Sequence, residues 1–305
     1  MADDASSRPC LQRRQFAGLA VAAVLAPALT GCALPQAPAT SPPSSESLDL
    51  YLLAGQSNMA GRGRVEAVDR EPPTGLLSLN ADADADADAD VQWQPARDPL
   101  HADKPSVAGV GPGRSFGLAM AAQMFERRSE QLSAQPGRRI GLVPCAVGGS
   151  SISTWQPGAR FEVEPGRWVQ PFDDTLRRMR LASTAGRWRG VLWHQGESDS
   201  NERDAPHHER RLRDLIERLR AAAGDAQLPV LIGQMGRWPA KPWSAAKAEV
   251  DAVHQRVAQT LGHVAFVSAE GLGLHDDGLQ VHFDAAGARE LGRRYASAML
   301  RLQAA

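Results

Sequence analysis

The sequence has little cysteine, and its cysteines do not have the spacings that stabilise small disulfide-rich domains or bind zinc. The 305 residues contain three cysteines, Cys10, Cys32 and Cys145. No two of them form a CxxC pair, which argues against a disulfide framework and against a zinc knuckle. Cys145 lies inside an apolar run and is expected to be an inert core residue.

The sequence also lacks a dominant charge of one sign. It has 34 lysines and arginines against 35 aspartates and glutamates, and the two signs are mixed along the chain. Such a balance does not provide the positive field that nucleic-acid binding requires. There is no H-E-x-x-H motif, and the glycine-rich stretch 111–117 matches G-x-G-x-x-G only in part, with no strand before it. We therefore expect no metal ion, no dinucleotide cofactor and no nucleic-acid partner.

No apolar run reaches the roughly 20 residues that span a bilayer. The apolar run between Phe16 and Leu29 is shorter and is interrupted by Pro27. A pair of arginines precedes it, as in twin-arginine export signals. The run ends in Leu-Thr-Gly-Cys, which resembles a bacterial lipobox. This resemblance implies that Cys32 is lipidated and becomes the first residue of the mature protein.

These features divide the chain into three segments. Residues 1–31 are predicted to be the export signal, and residues 32–47, rich in proline and serine, a flexible tether. Residues 48–305 are predicted to form the folded domain. The expected location is periplasmic or at the cell surface, with a membrane anchor on Cys32. The alternative is an ordinary cleaved signal in which Cys32 has no role.

Within the folded domain, short apolar runs alternate with amphipathic segments. Helical spacing is clear where apolar residues recur at i, i+3, i+4 and i+7 from Leu212, and where Ser244 is a plausible helix N-cap. Alternating strands and helices predict a parallel sheet covered by helices on both faces, in one doubly wound domain. The predicted strands are the five runs LDLYLLAG, RIGLVPCAVGG, RGVLWHQG, PVLIGQMG and HVAFVSAE.

The low-complexity stretch 81–90 repeats Ala-Asp five times. Aspartates are common calcium ligands, but calcium loops need varied ligand geometry and usually a glycine turn. We interpret the stretch as a solvated loop.

Ligands bind beyond the carboxyl ends of the strands in such sheets, so the residues that follow each run are the candidates for function. Ser57 follows the first run and is either a nucleophile or a helix N-cap. Gly148 and Gly149 follow the second run and either supply an oxyanion donor or form a tight turn. Trp155 comes next, as a wall for a sugar ring or as a cover for the sheet.

The third run is followed by Gln195 and Glu197, which point to the same side of an extended segment. The amide can donate a hydrogen bond to an oxyanion, and the carboxylate can orient a histidine. His282 lies just before the last predicted helix and is the candidate base, with His275 as its competitor. Ser57, Glu197 and His282 supply the nucleophile, acid and base of a serine hydrolase, which are recognised by geometry and not by chain order.

Four short blocks of the sequence together resemble a known family. GQSNMAG, VGGSSISTW, WHQGESD and VHFDAAGARELGRRYA, in this order, resemble the SGNH-type sialate O-acetylesterase and acetylxylan esterase family, carbohydrate esterase family 6. The resemblance implies an α/β fold, a three-layer α/β/α sandwich with a mainly parallel five-stranded sheet of the SGNH/flavodoxin-like type. It also implies metal-free hydrolysis of acetyl esters on carbohydrate.

The resemblance assigns roles block by block. It implies that Ser57 is the nucleophile and that His282 is the general base. The oxyanion hole would be formed by the backbone of Ser57, the backbone of Gly149 and the side chain of Gln195. Trp155 is the candidate contact for the sugar.

The orienting acid departs from the family pattern. The family often has an acid three residues before the histidine, and here that position is Leu279. The nearest upstream carboxylate is Asp277, and Glu197 is the other acid at the predicted site. We favour Glu197, with Asp277 as the alternative. A general short-chain acyl esterase, or a non-catalytic carbohydrate-binding lipoprotein, remain the alternative functions, and Trp238 is a further candidate for sugar contact.

Overall fold

The computed structural model describes residues 47–80, 92–130, 139–239 and 241–304. The predicted export signal, the lipidation site at Cys32, nearly all of the predicted tether and the Ala-Asp repeat lie outside these described residues. Across the described parts of the chain, no helix combines the length and the apolar character needed to cross a membrane.

A mainly parallel sheet forms the middle layer of the domain. In chain order the strands are β1 (Leu48–Gly55), β2 (Leu76–Leu79), β3 (Trp93–Pro95), β4 (Arg139–Pro144), β5 (Phe161–Glu164), β6 (Arg167–Val169), β7 (Gly186–His194), β8 (Val230–Gly233) and β9 (Val264–Val267). Seven of them form the sheet in the order β3-β2-β4-β1-β7-β8-β9, and only β3 runs antiparallel to its neighbour. β5 and β6 form a separate antiparallel pair.

The sheet has seven strands and not the five predicted. The five predicted runs are all present, as β1, β4, β7, β8 and β9. The two additional strands, β2 and β3, are short and lie together at one edge of the sheet. β3 contains a proline, which is typical of edge strands and weakens any strand prediction from sequence. The predicted α/β fold itself is confirmed.

Helices cover both faces of the sheet. They are α1 (Ser57–Ala60), α2 (Ala67–Arg70), α3 (Pro112–Glu130), α4 (Pro171–Ala182), α5 (His208–Ala223), α6 (Ala245–Thr260) and α7 (Ala285–Ala304). The predicted cap of α6 is confirmed, because Ser244 Oγ accepts a hydrogen bond from the Lys247 amide at 3.1 Å. That bond satisfies one of the amides that a helix leaves unpaired at its start.

The alternation of side chains along β1 divides the core into two clusters. Leu50 and Leu52 point to the face covered by α4, α5 and α6, whereas Tyr51 and Leu53 point to the face covered by α3 and α7. All four side chains are buried. A fully buried leucine contributes about 1.5–3 kcal/mol, so the two clusters together hold the helices on the sheet as a three-layer sandwich.

The strand order brings three loops together at the carboxyl edge of the sheet. β1 lies between β4 and β7, so the segments after these three strands meet at that edge. Gly55, the last residue of β1, has φ +126°, and a Cβ there would lie 2.1 Å from the carbonyl oxygen of His194. Only glycine fits this close approach, which places the next residues directly beside the end of β7.

Candidate active site

Ser57 begins the short helix α1 at the carboxyl end of the central strand. The N-cap position belongs to Gln56, so the interpretation of Ser57 as a helix N-cap is wrong. The Ser57 side chain is largely buried, and its Oγ lies 3.0 Å from Nε2 of His282. The first amides of a helix have no acceptor within the helix, so the Ser57 N–H is free of helical hydrogen bonds.

His282 lies in the loop before α7 and has partners on both ring nitrogens. Nε2 faces Ser57 Oγ, and Nδ1 contacts Oδ2 of Asp277. Burial disfavours the charged Asp277 carboxylate. The hydrogen bond from His282, a second from the Leu279 amide and the nearby imidazole charge outweigh that effect and lower the pKa of Asp277. The carboxylate therefore stays ionised where it can hold the Nδ1 proton of His282.

The structure places Asp277, and not Glu197, beside His282. Glu197 Oε1 instead accepts a hydrogen bond from Asn58 Nδ2 at 2.7 Å. Asp277 reaches the ring because the chain turns sharply after it, with Gly278 at φ +74° and Gln280 at φ +54°. The predicted preference for Glu197 over Asp277 is therefore wrong, because this turn brings a carboxylate five residues upstream into contact with His282.

Gly149 lies in the loop after β4 with φ +86°, a conformation that favours glycine. Within the described residues its amide has no hydrogen-bond acceptor. The neighbouring Gly148 amide donates to Asp103 Oδ2 at 2.7 Å, and the same oxygen accepts from Arg62 Nη2 at 2.8 Å. The side chains of this ion pair are 6% and 3% exposed, so a buried contact fixes the loop that carries the Gly149 amide.

The sequence did not predict this ion pair. Arg62 and Asp103 lie 41 residues apart, and neither is part of a recognisable pairing pattern. A side chain at Gly148 would come within 2.2 Å of Arg62 Nη2, so the first glycine of the loop is needed for the close approach of the guanidinium. Gly148 is therefore needed for close packing against Arg62, and Gly149 for its positive φ.

Gln195 is not free to face a substrate. It is completely buried, and its Nε2 contacts Asp199 Oδ2 and donates to Gln56 Oε1 at 3.1 Å. Both amide hydrogens therefore have acceptors inside the protein. The prediction of Gln195 as an oxyanion donor is corrected: the side chain packs below the loop, where Asp199 also accepts a hydrogen bond from the Ile152 amide at 2.9 Å.

Trp155 is also buried and does not offer a face to a sugar. Its ring packs edge-on against Trp193 with centroids 5.0 Å apart, and its Nε1 donates to Ser150 Oγ at 3.0 Å. Trp238 is 8% exposed and donates to the Leu272 carbonyl. The prediction of Trp155 as a sugar wall is corrected, since both tryptophans belong to the core.

Asn58 makes three hydrogen bonds that the sequence did not predict. Its Nδ2 donates to Glu197 Oε1 and, at 2.9 Å, to the carbonyl oxygen of Val281. Its Oδ1 accepts from the Phe283 amide at 3.1 Å. The only sequence signal for this residue was its place directly after Ser57 in GQSN.

Comparison with known proteins identifies the family. Residues 47–301 match the model of the family described as carbohydrate esterase, sialic acid-specific acetylesterase. The chain belongs to this family. The match covers the described domain except its last three residues, 302–304, and it confirms the resemblance that the four sequence blocks indicated.

Individual relatives agree with the carbohydrate esterase family. The chain is 30% identical over 269 residues to a probable carbohydrate esterase from Arabidopsis thaliana, covering 82% of this chain and 90% of the plant protein. The crystal structure of that plant protein aligns with a TM-score of 0.66 at 27% identity, over 84% of this chain and 98% of the other.

Two further solved structures share the fold at lower identity. NanS aligns with a TM-score of 0.61 at 19% identity, covering 86% of this chain and 99% of NanS. A carbohydrate acetylesterase from Xanthomonas citri aligns with a TM-score of 0.58 at 19% identity, covering 83% of this chain and 56% of the other. The fold is thus that of the family, and the protein is an ester hydrolase of the carbohydrate esterase type.

Proposed function

We propose that the protein is a serine esterase that removes O-acetyl groups from carbohydrates through an acetyl-enzyme intermediate. The observation that carries the proposal is the contact of Ser57 Oγ with His282 Nε2 at 3.0 Å, with Asp277 on the opposite ring nitrogen. A nucleophile, a base and an orienting carboxylate in this arrangement are the working parts of a serine hydrolase.

Acylation begins when Ser57 Oγ attacks the acetyl carbonyl carbon and His282 Nε2 takes the hydroxyl proton. Asp277 holds the Nδ1 proton and stabilises the imidazolium that forms. The oxyanion accepts hydrogen bonds from the Ser57 and Gly149 amides, each worth about 3 kcal/mol by analogy with other oxyanion holes. The ester C–O bond then breaks, and the imidazolium gives its proton to the departing sugar oxygen.

Deacylation repeats these steps with water. His282 Nε2 removes a proton from water as its oxygen attacks the acetyl carbonyl of acyl-Ser57. The tetrahedral intermediate collapses, acetate leaves, and the imidazolium returns the proton to Ser57 Oγ. Both halves of the reaction use the same amides and the same base.

The substrate class is proposed from the family. Its description names sialic acid-specific acetylesterases, and the Xanthomonas citri structure is described as a carbohydrate acetylesterase. An O-acetylated carbohydrate of the sialic acid or xylan type is therefore the substrate we propose. The competing function within the same fold is a general short-chain acyl esterase.

Hydrolysis of a panel of esters tests the proposal, with acetate release measured for the carbohydrates and 4-nitrophenol release for the aryl esters. The panel contains O-acetylated sialic acid, acetylated xylan, 4-nitrophenyl acetate and 4-nitrophenyl butyrate, each with wild type and with Ser57→Ala. We expect acetate release from at least one sugar and none with Ser57→Ala. Hydrolysis of both aryl esters with no acetate released from either carbohydrate would support the general short-chain esterase. Binding of a carbohydrate without acetate release would contradict the proposal.

We also propose that the protein is exported and anchored through a lipid on Cys32. The support is the lipobox-like sequence that ends at this residue. Fractionation of producing cells tests it: wild type should sediment with membranes, and Cys32→Ser should not. Equal sedimentation of the two would contradict the anchor.

A further inference from the structure

The carboxamide of Asn58 grips the backbone on both sides of His282. Its Nδ2 donates to the carbonyl oxygen of Val281 at 2.9 Å, and its Oδ1 accepts from the amide of Phe283 at 3.1 Å. These two backbone groups flank the histidine directly. One side chain therefore fixes the position of the His282 Cα from both neighbouring peptides.

Glu197 provides a second acceptor that holds this carboxamide in its orientation. Asn58 Nδ2 has two hydrogens, and its second acceptor is Glu197 Oε1 at 2.7 Å. With a carbonyl and a carboxylate on one side and an amide donor on the other, only one orientation of the carboxamide satisfies every group. Asn58 is 4% exposed, so loss of the Glu197 contact would leave a buried N–H without a partner.

Within the described residues, the other backbone hydrogen bonds of this loop do not connect it to α1. The His282 carbonyl accepts a hydrogen bond from the His275 amide at 2.8 Å, and the Asp284 amide donates to the Gly273 carbonyl at 3.1 Å, so both bonds join the two arms of the same loop. Asp277 contacts the ring at Nδ1, but it lies on the same loop as His282 and does not tie that loop to α1. Asn58 instead belongs to α1, the helix that carries Ser57, so it ties the base to the element that holds the nucleophile.

We propose that Asn58 and Glu197 are positioning residues for His282: Glu197 orients the Asn58 carboxamide, and the carboxamide holds Nε2 of His282 opposite Ser57 Oγ. The inference rests on the proposed function, in which His282 is the base. It gives Glu197 a role that needs a hydrogen-bond acceptor and not a negative charge.

This role is separable from that of a triad acid by substitution. In Glu197→Gln the side chain still offers an oxygen to Asn58, so kcat should stay within about threefold of wild type. Glu197→Ala removes the acceptor and should lower kcat about tenfold to a hundredfold, because a shift of about 1 Å in a reacting group has an effect of this size. KM should change by less than about threefold, since neither residue contacts the ester in the proposed mechanism.

Asn58→Asp tests the orientation of the carboxamide by changing Asn58 itself and leaving Glu197 in place. It replaces two donors by a carboxylate oxygen that faces Glu197 and the Val281 carbonyl, so kcat should fall by more than in Glu197→Ala. In the double variant Asn58→Asp/Glu197→Gln the glutamine amide can donate to the new carboxylate. Activity should therefore recover at least about fivefold relative to Asn58→Asp alone, a rescue that general destabilisation would not produce.

The experiment measures kcat and KM with 4-nitrophenyl acetate for these four variants, together with thermal unfolding of each. Glu202→Ala is the matched control, because this exposed glutamate lies in the same segment after β7 and should retain wild-type kcat. A Glu197→Ala enzyme with kcat near wild type would overturn the inference. So would a Glu197→Gln enzyme as impaired as Glu197→Ala, or a double variant without recovery.

Failure of the proposed function gives a different result. If wild type hydrolyses no ester, the esterase proposal fails before the variants are compared. If wild type is active and Ser57→Ala is not, the esterase proposal stands, and the Glu197 and Asn58 variants alone decide the positioning role. Should Glu197→Ala not fold, the comparison of Asn58→Asp with the double variant decides it.

Discussion

Asp277 contacts Nδ1 of His282 from five positions upstream, although the spacing expected from family resemblance is three. The intervening turn makes this possible. The Leu279 amide donates to Asp277 Oδ1 at 2.9 Å, and the residues on either side of Leu279 both have positive φ. The turn curls the chain so that the carboxylate points back to the imidazole, while Leu279 itself is exposed.

Asp277→Asn should lower kcat about 10²–10⁴-fold, because an amide can stabilise neither the tautomer with a proton on Nδ1 nor the imidazolium. The measurement is kcat with 4-nitrophenyl acetate in folded protein. Asp276→Asn is the matched control, since this exposed neighbour makes no described contact with His282. Wild-type kcat in Asp277→Asn would show that Ser57 and His282 act as a dyad without a carboxylate.

His282→Ala should remove nearly all hydrolysis of an aryl acetate, because no other base lies at Ser57 Oγ among the described residues. The residual rate over water would come from substrate binding and the oxyanion donors alone. His275→Ala is the control, because the imidazole of His275 was the competing candidate and should change kcat by less than about threefold. A reversed pattern would move the base to His275.

The elements that sequence predicts well here depend on local patterns. Each of the five predicted strands is a short apolar run, and the cap at Ser244 needs only neighbouring residues. Ser57 and His282 were found for the same reason, since one follows a strand and the other precedes a helix. Their mutual contact, across 225 positions, follows from the strand order once β1 is central.

The misassigned residues depend on packing between distant segments. Gln195 and Trp155 follow strands as functional residues do, but both side chains are completely buried, Gln195 against Gln56 and Trp155 against Trp193. Glu197 lies in the site, yet Asn58 and not His282 is its partner. Asp277 reaches His282 only through a turn with unusual backbone angles, and nothing in single-sequence periodicity specifies such a turn.

Asp103→Asn should lower kcat about tenfold and the free energy of unfolding by about 1–3 kcal/mol. Burial opposes ionisation of Asp103, but the charge and hydrogen bond of Arg62 outweigh it and lower the pKa of Asp103. A neutral amide oxygen accepts these hydrogen bonds more weakly than a carboxylate and cannot form an ion pair with the guanidinium, so the loop with the Gly149 N–H loosens. Enzyme kinetics and urea unfolding measure the two effects, with Glu162→Gln on the exposed side of β5 as control.

Comparing the stability of Asp103→Asn with its kcat separates the two roles of Asp103. If Asp103→Asn loses stability but keeps wild-type kcat, the loop does not supply an oxyanion donor. If kcat falls and KM stays constant, the loss lies in the transition state, as expected for the Gly149 amide.

In acid, the free energy of unfolding of the domain should depend on the protonation of His194. Burial lowers the pKa of His194 to about 4, against about 6.5 for an unfolded histidine. The unfolded state therefore binds more protons between these values, and the His194 contribution to stability is lost as pH falls from about 6.5 towards 4. His194→Gln should reduce the loss of unfolding free energy over this range by about 3 kcal/mol relative to wild type.

Urea unfolding of wild type and His194→Gln at about pH 7 and pH 4.5 tests this dependence. The comparison is between the two proteins, because other buried groups titrate in both and cancel: burial lowers the pKa of His208 to about 4 and raises that of Asp98 to about 8. His207→Gln, on the surface, is the control and should behave as wild type. Parallel pH profiles for wild type and His194→Gln would mean that His194 accepts a proton without unfolding, through its Nε2, which has no hydrogen-bond partner in the described parts of the chain.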